Sequence, residues 1–397
     1  MKYIIIVPDG ASDYPIESLG GKTPLEVADI PFMNSLAKQG LLGRVRTVPT
    51  GFSPSSDIAN LALLGYEPDK YYTGRGPLEA ANLGIELRKK DLAFRCNLIT
   101  ETDEKIADYS AGHITDKEAK ILIKFLDKNL GTSKIKFYAG KSYRNIMVFK
   151  DGLDLELGKL KYFPPHDIMG EDIKKHLPKG KNSDVLIELM QKSKKILADH
   201  EINKVRIDLG ENPANMIWLW GCGRKPKMES FKEKFGLSGA VISAVDLVKG
   251  IGKIIKLKVL EVEGATGYYD TNYLGKAQAA LQALKVVDFV FIHIEATDEA
   301  SHNQDLRMKI TCLERIDKMI VGTLLENLKN KDFKILITPD HPTPISKRTH
   351  TNEPVPFLVY GTDIEQGSFL SYSELEAQNS SLYFDKGIDL LNYFLKR

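Results

Sequence analysis

The chain has 397 residues, of which 43% are hydrophobic and 27% are charged. This composition is typical of folded globular proteins and excludes a disordered or collagen-like chain. The 55 basic and 53 acidic residues give a net charge of +2, which is too small to indicate nucleic acid or an anionic membrane as a partner. The length is sufficient for about two to three domains.

The N-terminal segment predicts a buried strand that ends in a turn. Residues 3–7 are apolar, and Pro8, Asp9 and Gly10 follow directly. Apolar runs in the chain are far shorter than the roughly 20 residues of a spanning helix, so we expect neither a membrane segment nor a signal peptide. Three separated cysteines in no C-x-x-C pair favour a reducing compartment. We therefore expect a cytoplasmic protein.

Short apolar runs recur along the chain with helical segments between them. After residues 3–7, such runs occur at 216–220, 240–243, 258–262, 289–294, 334–338 and 356–360. This pattern is typical of an α/β domain with a doubly wound, mainly parallel sheet. Apolar residues between 306 and 324 recur at three- and four-residue spacing, which predicts a long amphipathic helix against one face of that sheet.

The segment from residue 87 to residue 205 has a different character. Lys-rich helices such as Asp116–Leu130 alternate there with polar strands such as residues 142–150. We interpret this segment as an inserted, smaller α+β domain, and we assign residues 1–86 and 206–397 to the first domain. In this interpretation the strand pattern of the first domain resumes at Met216.

Acidic and imidazole side chains follow several of the predicted strands, where ligands bind in a doubly wound sheet. These side chains are Asp9, Asp298, His302, Asp340, His341 and His350. Carboxylate and imidazole ligands without thiolate favour Mn²⁺ or Zn²⁺. Since one catalytic ion would not use so many ligands, we predict two ions about 3.5–4 Å apart, an arrangement suited to displacement at phosphorus.

Each of these motifs also has a simpler interpretation on its own. Asp9 would cap the turn that follows it, and the adjacent Asp340 and His341 would form a solvated loop. Asp298 and His302 form a D-x-x-x-H pair, a short pattern that arises often by chance. The metal interpretation therefore depends on the joint occurrence of these residues at corresponding strand ends.

A nucleophile candidate lies at the start of a predicted helix. A Gly/Pro/Ser loop leads into a helix that begins near Asp57 and ends at Gly65. Either Ser55 or Ser56 is an N-cap only, or one of them is a metal-activated alkoxide that accepts a phosphoryl group. The amides at a helix N-terminus favour phosphate binding there. We interpret His293 as a core residue or a neighbour of the ligands.

Cationic side chains beside glycine or in short turns are candidates for binding phosphate and carboxylate groups. They are Arg75, Arg95, Arg144, Arg224 and Lys249. Most basic residues of a chain lie on its solvated surface, so each of these five is a separate hypothesis.

Several motifs together resemble one known family. The chain resembles the archaeal-type 2,3-bisphosphoglycerate-independent phosphoglycerate mutases of the alkaline phosphatase superfamily in VPDG, LGGKTPLEVA, PSSDIANLALLGY, YYTGRGPLEA, DEASH, TPDHPTP and RTHT. The resemblance runs nearly end to end, with the motifs in family order. It implies an alkaline-phosphatase-like α/β fold that holds the metals and an inserted lid domain that closes over a small phosphorylated substrate.

The resemblance also implies roles for individual residues. It makes Ser56 the phosphorylated nucleophile in the interconversion of 3-phosphoglycerate and 2-phosphoglycerate, a step of glycolysis and gluconeogenesis. The ligands it implies are Asp298, His302 and His350 for one divalent ion, and Asp9, Asp340, His341 and the Ser56 oxygen for the other. The expected metal is manganese, with zinc, magnesium and cobalt as alternatives. Arg95, Arg144 and His113 would reach the substrate from the lid.

The inserted segment departs from the archaeal pattern, which leaves the phosphate acceptor open. DYSAGHITD carries His113 where archaeal mutases usually carry arginine, so His113 is either a substrate contact or an ordinary surface histidine. SYRNIMVFKDG, PPHDI and NMIWLWGCGRKP resemble a bacterial branch whose members have been proposed to act as homoserine kinases.

The alternatives to a mutase are a phosphotransferase acting on homoserine, a metal-dependent phosphatase and a metal-binding scaffold without catalysis. A nucleotide-binding loop is incomplete, because Ile16 stands where the Walker pattern ending in Gly21-Lys22-Thr23 needs glycine. A scaffold would not need a serine placed at the site. The sequence does not predict the oligomeric state.

Overall fold

Strand β1, Lys2–Pro8, lies between two parallel neighbours in an eight-stranded sheet. Its residues Ile4, Ile5, Ile6 and Val7 are completely buried, as expected for a parallel strand that is covered on both faces. The structure is a computed structural model, and it describes residues 1–329, 331–361, 364, 367 and 369–396.

Strands and helices alternate along the described residues. The strands are β1 (Lys2–Pro8), β2 (Leu41–Val45), β3 (Leu92–Thr102), β4 (Lys105–Asp108), β5 (Ile135–Lys141), β6 (Arg144–Phe149), β7 (Met216–Arg224), β8 (Gly239–Ile242), β9 (Lys258–Leu260), β10 (Phe289–Ile294), β11 (Phe333–Ile337), β12 (Val355–Gly361) and β13 (Tyr383–Phe384). The α-helices are α1 (Pro24–Val27), α2 (Pro31–Gln39), α3 (Ser56–Leu63), α4 (Pro68–Tyr71), α5 (Arg75–Asn82), α6 (Asp116–Leu130), α7 (Asp184–Ala198), α8 (Glu201–Asp208), α9 (Phe231–Phe235), α10 (Asp246–Ile254), α11 (Tyr273–Ala283), α12 (Ala296–His302), α13 (Leu306–Arg315), α14 (Thr323–Leu328), α15 (Glu374–Asn379) and α16 (Gly387–Lys396).

The chain forms two compact units. The first unit comprises Met1–Tyr72 and Met228–Arg397, and the second unit comprises Thr73–Lys227. The sequence predicts the inserted domain over residues 87–205, so the second unit extends further at both ends. Helix α5 belongs to it because Ala80 packs in one apolar cluster with Ala93 of β3 and Ile146 of β6.

The sheet of the first unit has the order β13-β2-β12-β11-β1-β10-β8-β9. Strand β12 runs antiparallel to both of its neighbours, and the other pairs are parallel. The predicted α/β class with a mainly parallel sheet is therefore confirmed. The carboxyl ends of β1, β8, β10 and β11 lie at one edge, where the loops after these strands meet.

The predicted long amphipathic helix is present as α13 and α14, joined by the π-helical segment Ile316–Gly322. Its residues Leu313, Ile316, Ile320 and Leu324 are completely buried in the same apolar core as β1 and β10. Two charged residues of this helix, Lys309 and Asp317, are also completely buried.

The second unit contains an antiparallel sheet in which β3 pairs with β4, β6 and β7. The assignment of residues 216–220 to the first sheet is wrong, because β7 pairs with β3 from Met216 to Arg224. Strand β3 is buried over ten of its eleven residues, and the apolar β7 supplies its second neighbour. Helix α6 has the predicted bounds, and Thr115 with Glu118 forms a capping box at its start.

In the part of the chain that the structure describes, none of the helices combines the length and apolar character needed to cross a membrane.

Candidate functional site

Candidate ligand side chains from separate loops converge beyond the carboxyl ends of β1, β10 and β11. Asp9 follows β1 directly, and Asp340 and His341 follow β11 after two residues. Helix α12 begins one residue after β10 and carries Asp298 and His302 on consecutive turns. The parallel strands thus bring together residues that are far apart in the chain, such as Gly10 and Asp340, which are 330 positions apart.

These side chains form two groups that share one histidine. The ligand atoms of Asp298, His341 and His350 all lie within 4.8 Å of one another, and so do those of Asp9, Asp340 and His341. His302 adjoins the first group, since its Nε2 lies 3.1 Å from Asp298 Oδ2 and 3.1 Å from His350 Nε2. The structure therefore brings together the six acidic and imidazole residues that the sequence singles out.

Asp298 lies between two imidazole rings. His302 Nε2 is 3.1 Å from its Oδ2, and His350 Nε2 is 3.5 Å from its Oδ1. Burial alone would raise the pKa of Asp298, but hydrogen bonds and charges of the two histidines hold that pKa well below its ordinary value. For His302, burial is outweighed in the same way by Asp298, which raises the pKa of the imidazole to about 9. Each of these groups thus favours the charged form of the other.

Asp9 is buried without the hydrogen bonds that a buried carboxylate needs. Neither of its oxygens accepts a well-aligned hydrogen bond from the described residues, although His293 Nε2 lies 3.1 Å from Oδ2. Burial and the charges of Asp340 and Asp298 raise the pKa of Asp9 well above its ordinary value. Burial also lowers the pKa of His293 to about 4, so this ring supplies little positive charge.

A divalent cation fits this group of carboxylates. Orphaned oxygens of Asp9 face Asp340, whose Oδ1 accepts hydrogen bonds from the backbone amides of Gly10 and His341 at 3.2 and 3.0 Å. Buried charges are normally paired or bound to metal, and the oxygen and nitrogen donors here are those of Mn²⁺ and Zn²⁺ sites. The residues present therefore satisfy the donor chemistry of a divalent metal site.

Ser56 is the first residue of α3, and its Oγ lies 3.2 Å from His341 Nε2. The neighbouring Ser55 occupies the N-cap position but makes no side-chain capping hydrogen bond there. Its Oγ instead lies 3.5 Å from the carbonyl oxygen of Ser53. Of the two candidate serines, Ser56 is thus the one placed beside the ligand groups.

Two polar residues at the site have no counterpart among the sequence predictions. Asn60 donates to the Ser56 carbonyl and to Asp340 Oδ2, both at 2.8 Å. Thr343 donates to Asp298 Oδ1 at 2.6 Å, and its Oγ1 is 3.2 Å from His341 Nδ1. The only feature of the sequence that could have identified them is their position relative to predicted site residues. Asn60 follows Ser56 by one helical turn, and Thr343 follows His341 by two residues.

Three of the predicted cationic residues, Arg75, Arg95 and Arg144, cluster in the second unit, and two of them lie over Trp220. The guanidinium carbons of Arg95 and Arg75 lie 4.9 and 5.5 Å from the centre of its ring. Burial, together with the charges of Arg144 and Arg75, lowers the pKa of Arg95. Glu79 pairs with Arg95 at 3.3 Å. Crowded guanidinium groups of this kind favour the binding of an anion.

The remaining cationic candidates lie in other surroundings. His113 is near the cluster, since its ring centre is 6.4 Å from that of Tyr143, and Arg144 Nε donates to the Tyr143 hydroxyl at 3.0 Å. Arg224 lies four residues beyond Trp220 on β7 and lines a separate cavity of about 280 Å³. Lys249 belongs to α10 of the first unit and pairs with Glu261 at 2.6 Å.

The first unit has the α/β fold with a mainly parallel sheet that the sequence predicts. A serine oxygen beside two carboxylate and imidazole groups is typical of metal-dependent enzymes that transfer phosphoryl groups. This is the class of protein that the fold and the site define.

Comparisons with known proteins give the family. A family model described as 2,3-bisphosphoglycerate-independent phosphoglycerate mutase matches residues 37–203. The enzyme of that name from Methanosarcina mazei is 49% identical to this chain over 399 residues. The alignment covers 100% of both chains. The chain therefore belongs to the 2,3-bisphosphoglycerate-independent phosphoglycerate mutase family.

Solved structures agree with the fold. A protein from Pyrococcus horikoshii superposes with a TM-score of 0.85 at 31% identity, covering 99% of this chain and 96% of its own. A cofactor-independent phosphoglycerate mutase from Thermoplasma acidophilum superposes with a TM-score of 0.67 at 28% identity. This superposition covers 100% of this chain and 99% of the other.

Proposed function

We propose that the chain interconverts 3-phosphoglycerate and 2-phosphoglycerate through a phosphoserine at Ser56. The observation that supports this most directly is the position of the Ser56 hydroxyl, 3.2 Å from His341 Nε2, which itself lies 3.5 Å from the orphaned Oδ1 of Asp9. The relatives that span the whole chain carry the name of this mutase. The reaction class and the site chemistry thus lead to the same activity.

In this proposal the Ser56 oxygen attacks phosphorus and the bond between phosphorus and the substrate oxygen breaks. Ser56 loses its hydroxyl proton, and the departing glycerate oxygen gains one. The glycerate then presents its other hydroxyl, which takes the phosphoryl group and restores the Ser56 hydroxyl. Atoms and charges balance without an external phosphate donor, as an isomerisation requires.

Two divalent ions, manganese by preference, complete the proposed site. Asp298, His302 and His350 would hold one ion, and Asp9, Asp340, His341 and the Ser56 oxygen would hold the other. When bound, such ions neutralise charge on the transferred group and favour the ionised serine. The chain's own contribution is to fix these side chains, as Asn60 does by donating to both Asp340 and the Ser56 carbonyl.

The substrate's anionic groups are proposed to bind the arginine cluster of the second unit. Arg75 and Arg144 lie close enough to Arg95 for their charges to help lower its pKa. Two of the guanidinium groups, those of Arg75 and Arg95, make cation–π contacts with Trp220. His113 is included because it adjoins Tyr143. Roles for Arg224 and Lys249 in substrate binding stay predictions, as does a cytoplasmic location with no nucleic-acid or membrane partner.

A coupled enolase assay with 3-phosphoglycerate and Mn²⁺ tests this function. We expect product formation by the wild type, loss of at least ~1,000-fold in Ser56→Ala because the nucleophile is removed, and near-normal activity in Ser55→Ala. No signal above the Ser56→Ala background would overturn the proposal.

Two further measurements identify the alternatives. Release of free phosphate without isomer formation would establish a phosphatase instead. Consumption of ATP only when homoserine is present would establish a homoserine phosphotransferase.

A further inference from the structure

The hydroxyl of Thr343 lies between ligands that the proposed function assigns to different ions. Its Oγ1 is 2.6 Å from Asp298 Oδ1 and 3.2 Å from His341 Nδ1. Thr343, His341 and Asp298 are all buried, the first two completely. Bulk water therefore does not compete for these contacts.

A count of protons fixes the direction of both hydrogen bonds. A threonine hydroxyl carries one proton, and the ionised carboxylate of Asp298 can only accept. The Thr343 proton therefore goes to Asp298 Oδ1. The oxygen of Thr343 is then left to accept, so the hydrogen of a neutral His341 ring lies on Nδ1 and its lone pair on Nε2.

That lone pair points to the side where the proposed ion would bind. His341 Nε2 lies 3.2 Å from Ser56 Oγ and 3.5 Å from both Asp9 Oδ1 and Asp340 Oδ2. A metal ligand needs an unprotonated nitrogen, and a hydrogen bond at the other ring nitrogen commonly selects the tautomer that provides it.

The backbone of Thr343 is held in place independently of its side chain. Its amide donates to the carbonyl oxygen of Ser12 at 3.2 Å, and its carbonyl accepts from Lys309 Nζ at 3.0 Å. Lys309 is paired in turn with Asp13 at 2.7 Å. The hydroxyl is thus presented from a fixed position rather than from a free loop.

We infer that Thr343 is a positioning residue that fixes the His341 tautomer and the Asp298 carboxylate together, and so prepares both proposed ion sites with one hydroxyl. The inference rests on the proposed two-ion function. It predicts that removal of a single hydroxyl weakens ligands in both sites, although Thr343 is in neither of the proposed ligand sets.

Three variants test this role. Thr343→Val keeps the shape and removes the hydroxyl, Thr343→Ser restores the hydroxyl, and Thr100→Val removes a buried hydroxyl from the second unit, where it donates to the Pro213 carbonyl at 2.8 Å. Thermal unfolding of the three proteins separates loss of folding from loss of positioning.

The first measurement uses the metal-free protein, with the histidine ring nitrogens observed by ¹⁵N NMR. We expect His341 as the Nδ1–H tautomer in the wild type and in Thr343→Ser, and a changed Nδ1 environment in Thr343→Val. An unchanged His341 spectrum in a folded Thr343→Val protein would overturn the inference. This result does not depend on activity, so it is distinguishable from failure of the proposed function.

The second measurement is the affinity for Mn²⁺ by calorimetric titration. Loss of a hydrogen bond that orients a ligand typically lowers metal affinity about 10- to 100-fold. We expect this loss at both sites in Thr343→Val, recovery in Thr343→Ser and no loss in Thr100→Val. Weakening at one site only, or no rescue by serine, would contradict a shared positioning role.

Discussion

The Nε2 atoms of His302 and His350 face each other at 3.1 Å. His302 Nδ1 lies 2.9 Å from the Arg348 carbonyl oxygen, and His350 Nδ1 lies 3.4 Å from that of Pro54. Since a carbonyl can only accept, each neutral ring carries its hydrogen on Nδ1 and a lone pair on Nε2. Two lone pairs at this distance repel unless a proton or a cation lies between them.

Metal removal should therefore destabilise the protein. We expect the melting temperature to fall when the ions are removed with EDTA and to recover when Mn²⁺ is added. A ligand at 100 times its Kd stabilises the folded state by about 2.7 kcal/mol. Differential scanning fluorimetry measures the shift, with Na⁺ at equal ionic strength as the control. Identical melting temperatures with and without Mn²⁺ would contradict a metal site.

The stability of the metal-free protein should depend on pH through His302. The pKa of this residue is raised from its ordinary 6.5 to about 9, because Asp298 outweighs the effect of burial. A group whose pKa is higher in the folded state than in the unfolded state stabilises the folded state while it is protonated. For His302 this contribution is fully present below pH 6.5 and is lost as the pH rises through 9. We expect the melting temperature of the metal-free wild type to fall across this window.

The variant His302→Asn is the control for that pH dependence. It has no imidazole to titrate, so its melting temperature should vary less between pH 6.5 and 9. If the melting temperatures of the wild type and the variant changed in parallel with pH, a group other than His302 would be responsible. Mn²⁺ affinity of the wild type should rise over the same window, because the ion competes with the proton.

Gly10 is required at the site for two separable reasons. Its φ is +63°, and a Cβ there would lie 2.5 Å from Thr343 Oγ1 and 2.6 Å from Asp298 Oδ1. Gly20 has a similar φ of +68° but open space around the added Cβ. Gly20→Ala should cost only the ~1–2 kcal/mol of a left-handed backbone.

Gly10→Ala should cost more and should also weaken Mn²⁺ binding, because it displaces Thr343 and Asp298. Chemical denaturation and Mn²⁺ titration of the two variants measure both effects. If Gly10→Ala matched Gly20→Ala in stability and bound Mn²⁺ normally, close packing at the site would not matter.

Lys309 is a buried charge whose loss should be expensive. Its Nζ pairs with Asp13 Oδ2 at 2.7 Å, and the two side chains are 0% and 1% exposed. Lys309→Met leaves Asp13 as an uncompensated buried charge, so we expect a loss of about 3–5 kcal/mol in the free energy of unfolding.

The double variant with Asp13→Asn tests the cause of that loss. The asparagine carbonyl can still accept from the backbone amides of Tyr14 or Ile345, which now donate to Asp13. We expect the double variant to be more stable than Lys309→Met alone in urea unfolding. If the loss of stability in the double variant equalled the sum of the losses in the two single variants, the charge left on Asp13 would not be the cause.

The proposed metal-ligand groups were predictable because strand order determines which loops meet. Asp9 and Asp340 follow apolar runs that are easily recognised as parallel strands, so their convergence follows from the fold class. The membership of β7 in the second sheet was not predictable in this way, since an apolar strand fits either sheet and pairing with β3 decides. Thr343 carries no pattern of its own, and only the distances from its hydroxyl to Asp298 and His341 point to the proposed role.

The arginine cluster gives the last prediction, which concerns the shape of the cation rather than its charge. Arg95 lies over Trp220, pairs with Glu79 and has no hydrogen-bond partner for Nε within the described residues. Arg95→Lys keeps the charge but loses the planar fork that holds a carboxylate or phosphate with two bonds. Since a charge-assisted hydrogen bond contributes about 1.5–3 kcal/mol, we expect KM for 3-phosphoglycerate to rise about 10- to 100-fold.

The control is Arg88→Lys in the same unit, where the side chain is 62% exposed and pairs with Asp91. This substitution makes the same chemical change outside the cluster, so KM should stay within experimental error of the wild type. Steady-state kinetics of both variants in the coupled assay make the comparison. Equal KM values for the two would exclude Arg95 from substrate binding, because a guanidinium that holds an anion with two hydrogen bonds cannot be replaced by an ammonium without loss of affinity.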